Sequence, residues 1–273
     1  MTIKPGSIRQ IAWVGLAVGM TALATRAADR ATADSPNLRE VHAALEAPPP
    51  GITAEELFSK LLEHNRLRDL RLESYSARRS YELKDLEGNV RAQQSVAVHY
   101  TAPETKEFRT TSENGSSVIR KMVFKRLMES EAEAATGQQH HDSSIKPANY
   151  SFNIVGEQDI GPYHCIVAEA IPKSQDKYLF EGRIWIDAQD FAIVRIAGHP
   201  ARKLSFWINR ADFVRQYQKI GDFWLPEKDE TFVDVKLYGK KVFSIDHHDY
   251  RINGQDSEQQ ARDFTRDGPV AVH

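Results

Sequence analysis

The sequence predicts a mainly β (α+β) protein: an antiparallel sheet carrying two helical segments. Three observations support this. Apolar and polar residues alternate with period two in repeated short runs after residue 74. Gly- and Asn-containing turns separate those runs. Two stretches, 53–72 and 118–128, change to residues and spacing that favour helix.

The chain opens with Lys4 and Arg9, an apolar run from Ile11 to Met20, and Ala22-Leu23-Ala24, which matches an A-x-A cleavage pattern. This is the layout of a secretory signal peptide over residues 1–24. The run is shorter than the roughly 18 apolar residues of a spanning helix. The expected mature protein is soluble and extracytoplasmic, with no stable membrane insertion after signal cleavage. Residues 25–51 form an Ala- and Pro-rich tail that closes with Pro48-Pro49-Pro50-Gly51, a run that stiffens a linker.

Thr53-Ala54-Glu55-Glu56 reads as a capping box, with Leu57, Leu61, Leu62, Leu67 and Leu70 behind it, so a helix is expected over 53–72. Tyr75, Ala77, Arg79, Tyr81 and Leu83 then share one side of a strand. Glu87-Gly88-Asn89 turns into a strand through Val96, Val98 and Tyr100, and a short strand follows at 105–111. Glu113-Asn114-Gly115 reads as a turn. Residues 118–128 carry a wide apolar arc (Val118, Ile119, Met122, Val123, Phe124, Leu127, Met128), either a helix packed on the sheet or a lid over an apolar groove. The polar stretch 129–146 is expected to be a long loop. From Tyr150 a meander runs through 150–154, 163–171, 179–187, 191–196, 206–217, 223–231, 232–238 and 242–252, and residues 255–273 are a polar tail.

Composition narrows function mainly by exclusion. The 273 residues hold 36 Lys+Arg and 38 Asp+Glu, so no basic surplus marks a nucleic-acid partner. The single Cys, Cys165, rules out an intrachain disulfide and any multi-Cys metal site, and is expected to be buried and inert. The sequence has no G-x-S-x-G elbow, phosphate-binding loop, G-x-G-x-x-G or H-E-x-x-H. The expectation is a non-enzyme with no cofactor.

Asp246-His247-His248-Asp249 is the best metal-like motif: i, i+2 pairs on a strand share a face, and His140, His141 or Asp142 could add a ligand. No spacing completes a ligand set, so a solvated terminal strand is favoured and no metal is expected. The aromatic residues Trp185, Phe206, Trp207, Tyr217, Phe223 and Trp224 fit either core packing, the more economical reading, or the lining of an apolar cavity.

The segments Gly182–Arg195, Ser205–Ile208, Gln218–Pro226 and Ile245–Tyr250 resemble the outer-membrane lipoprotein-sorting (LolA-like) proteins and, more loosely, the MucB/RseB-type periplasmic regulator domain. The resemblance spans roughly 53–252, within a domain bounded at 52–254. It implies a curved antiparallel half-barrel with helices covering the concave face. It also implies a periplasmic carrier holding lipid or lipoprotein acyl chains between an inner-membrane donor and an outer-membrane acceptor. A sensor that binds a membrane protein's periplasmic segment is the alternative. The expected cavity and lid residues are Met122, Phe124, Leu127, Trp185, Phe206, Trp207, Phe223 and Trp224, with Arg79 as candidate lid latch. Strand alternation forbids both members of Phe206/Trp207, or of Phe223/Trp224, from pointing inward.

Overall fold

The computed structural model describes residues 44–103, 105–135, 144–176, 178–204, 206, 208–237 and 239–254. The expected signal peptide, residues 25–43 of the tail, His140, His141, Asp142, Trp207 and the tail from 255 lie outside the described residues.

Helix α1 (Ala54–Arg71) starts on the anticipated capping box: the Glu56 amide donates to the Thr53 hydroxyl (3.2 Å) and the Thr53 amide to the Glu56 carboxylate (3.0 Å). Its buried stripe is Leu57, Phe58, Leu61 and Arg68, whereas Leu67 and Leu70 are exposed. Counting 100° per residue from Leu57 and Leu61 reaches 68 and leaves 67 and 70 on the far side. Arg68 fills the stripe because its guanidinium reaches the Asp190 carbonyl and Asn65 Oδ1.

The strands are β1 (Ser74–Asp85), β2 (Val90–Thr101), β3 (Thr105–Gly115), β4 (Tyr150–Ile160), β5 (Tyr163–Pro172), β6 (Phe180–Asp187), β7 (Ile193–Pro200), β8 (Ile208–Ile220), β9 (Phe223–Val235) and β10 (Gly239–Ile252). They form one antiparallel sheet in the order β3-β2-β1-β10-β9-β8-β7-β6-β5-β4. The sheet is open, with β3 and β4 at its edges. Between β3 and β4 lie α2 (Ser117–Ile119), a π-helical turn (Arg120–Phe124) and α3 (Lys125–Ala135).

Several expectations change in detail. Glu113-Asn114-Gly115 is the end of β3, paired with Gln94, Gln93 and Ala92. The stretch expected to be a loop from 129 is helical through Ala135, because Glu-Ser-Glu-Ala-Glu-Ala-Ala favours helix overall. The two strands expected at 223–231 and 232–238 are the single β9, since nothing between Thr231 and Phe232 turns the chain.

Directly paired residues share a face, so the ladders trace one surface across the sheet. Tyr81 pairs with Ile245, Arg215 with Asp229, Ile196 with Arg215, Ile184 with Ile196, and Ala168 with Ile184. Both helical groups cover this face, giving a half-barrel with a filled concave side. The segment 117–135 closes one cluster, with Val123, Phe124 and Leu127 against Tyr81, Val96, Phe243 and Ile245. Helix α1 closes the other, with Leu57, Phe58 and Leu61 against Tyr150, Phe180, Ile184 and Phe213. A third cluster (Cys165, Val167, Trp185, Val194, Ala197, Val214) lies on the opposite face, partly covered by Leu45 and Trp224. Cys165 is buried there, with its thiol pKa pushed up to about 12 by burial.

Strands β6 and β7 meet most closely at Gly182 and Gly198. A Cβ on Gly182 would stand 2.0 Å from the Ala197 carbonyl oxygen and 2.6 Å from the Gly198 Cα. Backbone cannot yield as a side chain can. Gly182→Ala is therefore expected to destabilise by on the order of 2 kcal/mol, read as a lower urea midpoint at an unchanged slope.

Candidate functional site

The candidate site is the concave face beneath the segment 117–135. That segment docks with an apolar patch and one buried acid. Phe124, fully buried, lies 5.7 Å from Tyr81 and 5.6 Å from Phe243 between ring centroids. Val123 and Leu127 are buried beside it, and Met122 and Met128 are half-buried. The π turn at Arg120–Phe124 widens the helix just where Val123 and Phe124 enter the sheet face. Phe124, Leu127 and Glu131 follow at i, i+3 and i+7, so the helix delivers a carboxylate along its apolar stripe.

Arg79, 1% exposed, meets that carboxylate with both guanidinium nitrogens: Nη1 donates to Glu131 Oε2 (2.6 Å) and Nη2 to Oε1 (2.9 Å). Lys106 on β3 donates to the same carboxylate. Burial alone would push the Glu131 carboxyl up. The charges and hydrogen bonds of Arg79 and Lys106 outweigh it and hold Glu131 well below the usual carboxylate range. Arg79 Nη1 also reaches the Tyr81 hydroxyl (3.3 Å), and the guanidinium lies 5.5 Å from the Phe108 ring centre.

Next to Arg79 in the ladder stands His247, also buried. Its Nε2 is 3.0 Å from Asp229 Oδ2, Asp229 Oδ1 accepts from Arg215, and the Tyr250 hydroxyl lies 3.4 Å from His247 Nδ1. Burial, and then the charge of Arg79, push the His247 pKa down to about 4 against the pull of Asp229. The Asp229 pKa falls to about 2: burial opposes this, but the charge of Arg215 and the hydrogen bond from His247 prevail. A neutral His247 that donates from Nε2 is the tautomer this arrangement requires. A band of buried charge thus crosses an otherwise apolar face.

The expected site residues divide. Phe124, Leu127 and Met122 lie in the covering segment over the concave face, and Arg79 lies beneath it. Trp185 lies on the other face: it pairs with Val167 and Arg195, packs with Val194 and Val214, and donates to Gln158 (2.8 Å). Strand alternation sends Ile184 and Ile186 inward and Trp185 outward. Phe206 is 76% exposed in the β7–β8 loop, because β8 begins only at Ile208. Trp224 is half-buried against the outer cluster, donating to Asp190 (2.9 Å), with its ring 4.7 Å from that of Tyr163. Phe223 is half-buried at the β8–β9 turn, far along the strand from the lid cluster.

The metal-like motif dissolves as well. Asp249 adopts φ 57° at an irregularity in the β1–β10 ladder, which breaks the i, i+2 alternation. It lies 3.6 Å from Arg78 in an exposed ion pair, and His248 is exposed. Among the described residues no group of three His, Cys, Asp or Glu could hold a metal ion. Sequence reasoning does not single out Glu131, Asp229 and Arg215; Glu131 and Arg215 carry a legible signal, a charge that follows apolar residues on one stripe (Phe124, Leu127; Ala211, Phe213), whereas Asp229 stands between Glu227 and Thr231 and carries none.

No family model and no curated protein matches this sequence. Solved structures to which the chain is similar include an outer membrane lipoprotein-sorting protein domain from Vibrio parahaemolyticus (12% identity, 75% of this chain and 98% of that one, TM-score 0.40). They include a LolA superfamily protein from Nitrosomonas europaea (9% identity, 75% and 95%, TM-score 0.36). The MucA/MucB complex of Pseudomonas aeruginosa is a third (10% identity, 76% and 96%, TM-score 0.25). The groups named by the sequence resemblance are thus among them, at identities that give no residue-by-residue correspondence. Among the described residues no helix is long and apolar enough to cross a membrane.

Two consequences follow from the charged band. Glu131→Gln leaves Arg79 and Lys106 buried without their counter-ion, a loss of roughly 3–5 kcal/mol. Amides of α3 should then exchange with solvent at least about tenfold faster, while those of β5–β7 change less, as hydrogen-exchange mass spectrometry would register. His247 sets an acid limit. Its folded pKa of about 4 lies below the ordinary 6.5, so the unfolded chain takes up the proton first. The contribution is complete above pH 6.5 and is lost as pH falls toward 4, by at most on the order of 3 kcal/mol. Glu131 and Asp229, also depressed, lose theirs only below the ordinary carboxylate range. Urea midpoints between pH 7.5 and 5 should therefore fall for the parent chain and fall less for His247→Gln.

Proposed function

We propose that this chain is a periplasmic carrier or binding protein that holds lipidated or other apolar cargo on the concave face, beneath a lid formed by residues 117–135. One observation carries the reading. The segment covers the apolar face through a few side chains and a buried acid, Glu131, held by Arg79 and Lys106. A lid needs a closed state of defined geometry and modest depth, and this docking has both. Arg79 acts as the latch, and Phe124 and Leu127 occupy the space that an acyl chain would take.

The energetic need for such a carrier is clear. Each methylene kept from water is worth about 0.8 kcal/mol, so an acyl chain of a dozen costs roughly 10 kcal/mol to hold in solution. A half-barrel removes that barrier without covalent chemistry. Unloading then depends on a two-state element, and the lid supplies one.

The test is to export the chain to a bacterial periplasm, purify it without detergent and analyse extracted material by lipid mass spectrometry. Lipid or acylated peptide near one per chain is expected. Leu127→Asp places a carboxylate in the apolar seat of the lid and should lower the recovered cargo several-fold while circular dichroism is unchanged. An empty, stable parent chain that instead retains a protein partner on cross-linking would replace the carrier with the sensor reading.

A further inference from the structure

Beyond the groove, one end of the half-barrel has a composition unlike the rest of the molecule. The β7–β8 loop and the β9–β10 turn meet there, since Ile208 pairs with Val235 at the start of β8. Phe206 is 76% exposed and Leu237 is 70% exposed, and both point into solvent from adjacent loops. Lys236 Nζ lies 3.6 Å from the centre of the Phe206 ring, which joins the two loops. Leu237 holds φ 68°, a left-handed conformation uncommon for a branched residue, and so projects from the tip of its turn.

The surrounding charge has one dominant sign. Residues 202–212 and 234–241 contain six basic side chains (Arg202, Lys203, Arg210, Lys236, Lys240, Lys241) against two acids, Asp212 and Asp234. The whole chain carries a net charge of −2, so these two segments are a local reversal, bordered on one side by Asp85, which pairs with Lys241 in the β1–β10 ladder. Arg202 and Lys203 are exposed and flank a cleft of about 310 Å³ that opens between the loop and the first residues of β8. Large apolar side chains at loop tips, ringed by lysine and arginine, match the chemistry of a bilayer surface: the tips enter the interface and the cations meet lipid phosphates.

We propose that this end of the half-barrel docks on an anionic lipid bilayer, with Phe206 and Leu237 inserted at headgroup depth and the basic residues around them against phosphate. Leu204, in the same loop, packs on the cluster that contains Phe124 and Leu127. The surface stands on its own residues, however, whether or not the groove carries cargo.

The test uses the full-length chain and sedimentation with vesicles of phosphatidylglycerol and phosphatidylethanolamine, against vesicles of phosphatidylcholine, at low and high salt. The parent chain should prefer the anionic vesicles at least about tenfold at low salt, and the preference should shrink at high salt. Arg202→Gln/Lys203→Gln should weaken binding about fivefold per charge removed. Phe206→Ser/Leu237→Ser should weaken it at least about tenfold, at both salt concentrations. All four positions are exposed, so circular dichroism and the urea midpoint should match the parent. Residues 1–43 are common to every variant, and any contribution from them cancels. Binding by either double variant equal to the parent's, no preference for anionic vesicles, or no binding by the parent chain overturns the proposal.

Discussion

The pairing of Arg79 with Glu131 constrains everything above the sheet. Sequence alternation puts Arg79 on the apolar face of β1, between Ala77 and Tyr81, where an uncompensated guanidinium would cost several kcal/mol. Its ladder neighbours are Val96 and His247, and neither supplies a negative charge. The carboxylate must come from outside the sheet, and Glu131 brings it with the helix attached. Lys106 adds a second cation to the same carboxylate, while Arg79 Nε meets no acceptor. The closed arrangement is specific, but it does not satisfy every donor.

Topology explains why a covering segment exists at all. β3 and β4 are consecutive in the chain yet lie at opposite edges of the sheet. The connection between them has to cross one face. It leaves β3 through the cluster around Phe124 and re-enters near α1, where Ile145 is buried with Leu57 and Phe58. The helix-covered face is apolar, so a crossover rich in Val, Phe, Leu and Met settles there and buries both surfaces. An open sheet that must cover one face thus acquires a covering segment, held on the sheet by its own side chains.

Much of this is legible in the sequence. Period-two alternation marks the position of each strand, because half-buried strands write their faces into every second residue, but it falls short where the alternation fades: β2 begins at Val90 rather than near Val96, β4 runs on to Ile160 and β7 to Pro200. β9 was split in two, since a polar stretch at Lys228–Glu230 imitates a boundary when the partner strands are unknown. The capping box at Thr53 placed α1, a local signal with a local cause. Trp185 defeated the reading because alternation gives two faces and does not say which is concave. Glu131 was passed over because a buried charge looks like a solvated one until its counter-ion, 52 residues away, is placed. The covered face can be traced by asking where a charge interrupts alternating apolar positions: Arg79 stands between Ala77 and Tyr81, and Arg215 between Phe213 and Tyr217.

Apolar and ionic contacts do different work in holding the segment 117–135 on the sheet. A buried ion pair is about neutral against a hydrophobic replacement of the same shape, so Glu131 and Arg79 set the register of the covering segment more than its depth. Depth comes from Val123, Phe124 and Leu127, at roughly 1.5–3 kcal/mol each, or roughly 5–9 kcal/mol together. That range lies near the roughly 10 kcal/mol that an acyl chain of a dozen methylenes gains on leaving water. Exchange of lid side chains for such a chain would be close to balanced on the same apolar surface. Helix α1 is different. Phe58 stacks on Phe152 at 3.4 Å, and the helix is fastened at its far end by Arg68 to the Asp190 carbonyl. Both coverings thus bury a few apolar side chains, Leu57, Phe58 and Leu61 in α1 and Val123, Phe124 and Leu127 in the segment 117–135, and they differ in the polar contact that fixes each: a backbone carbonyl for Arg68, a buried carboxylate for Arg79.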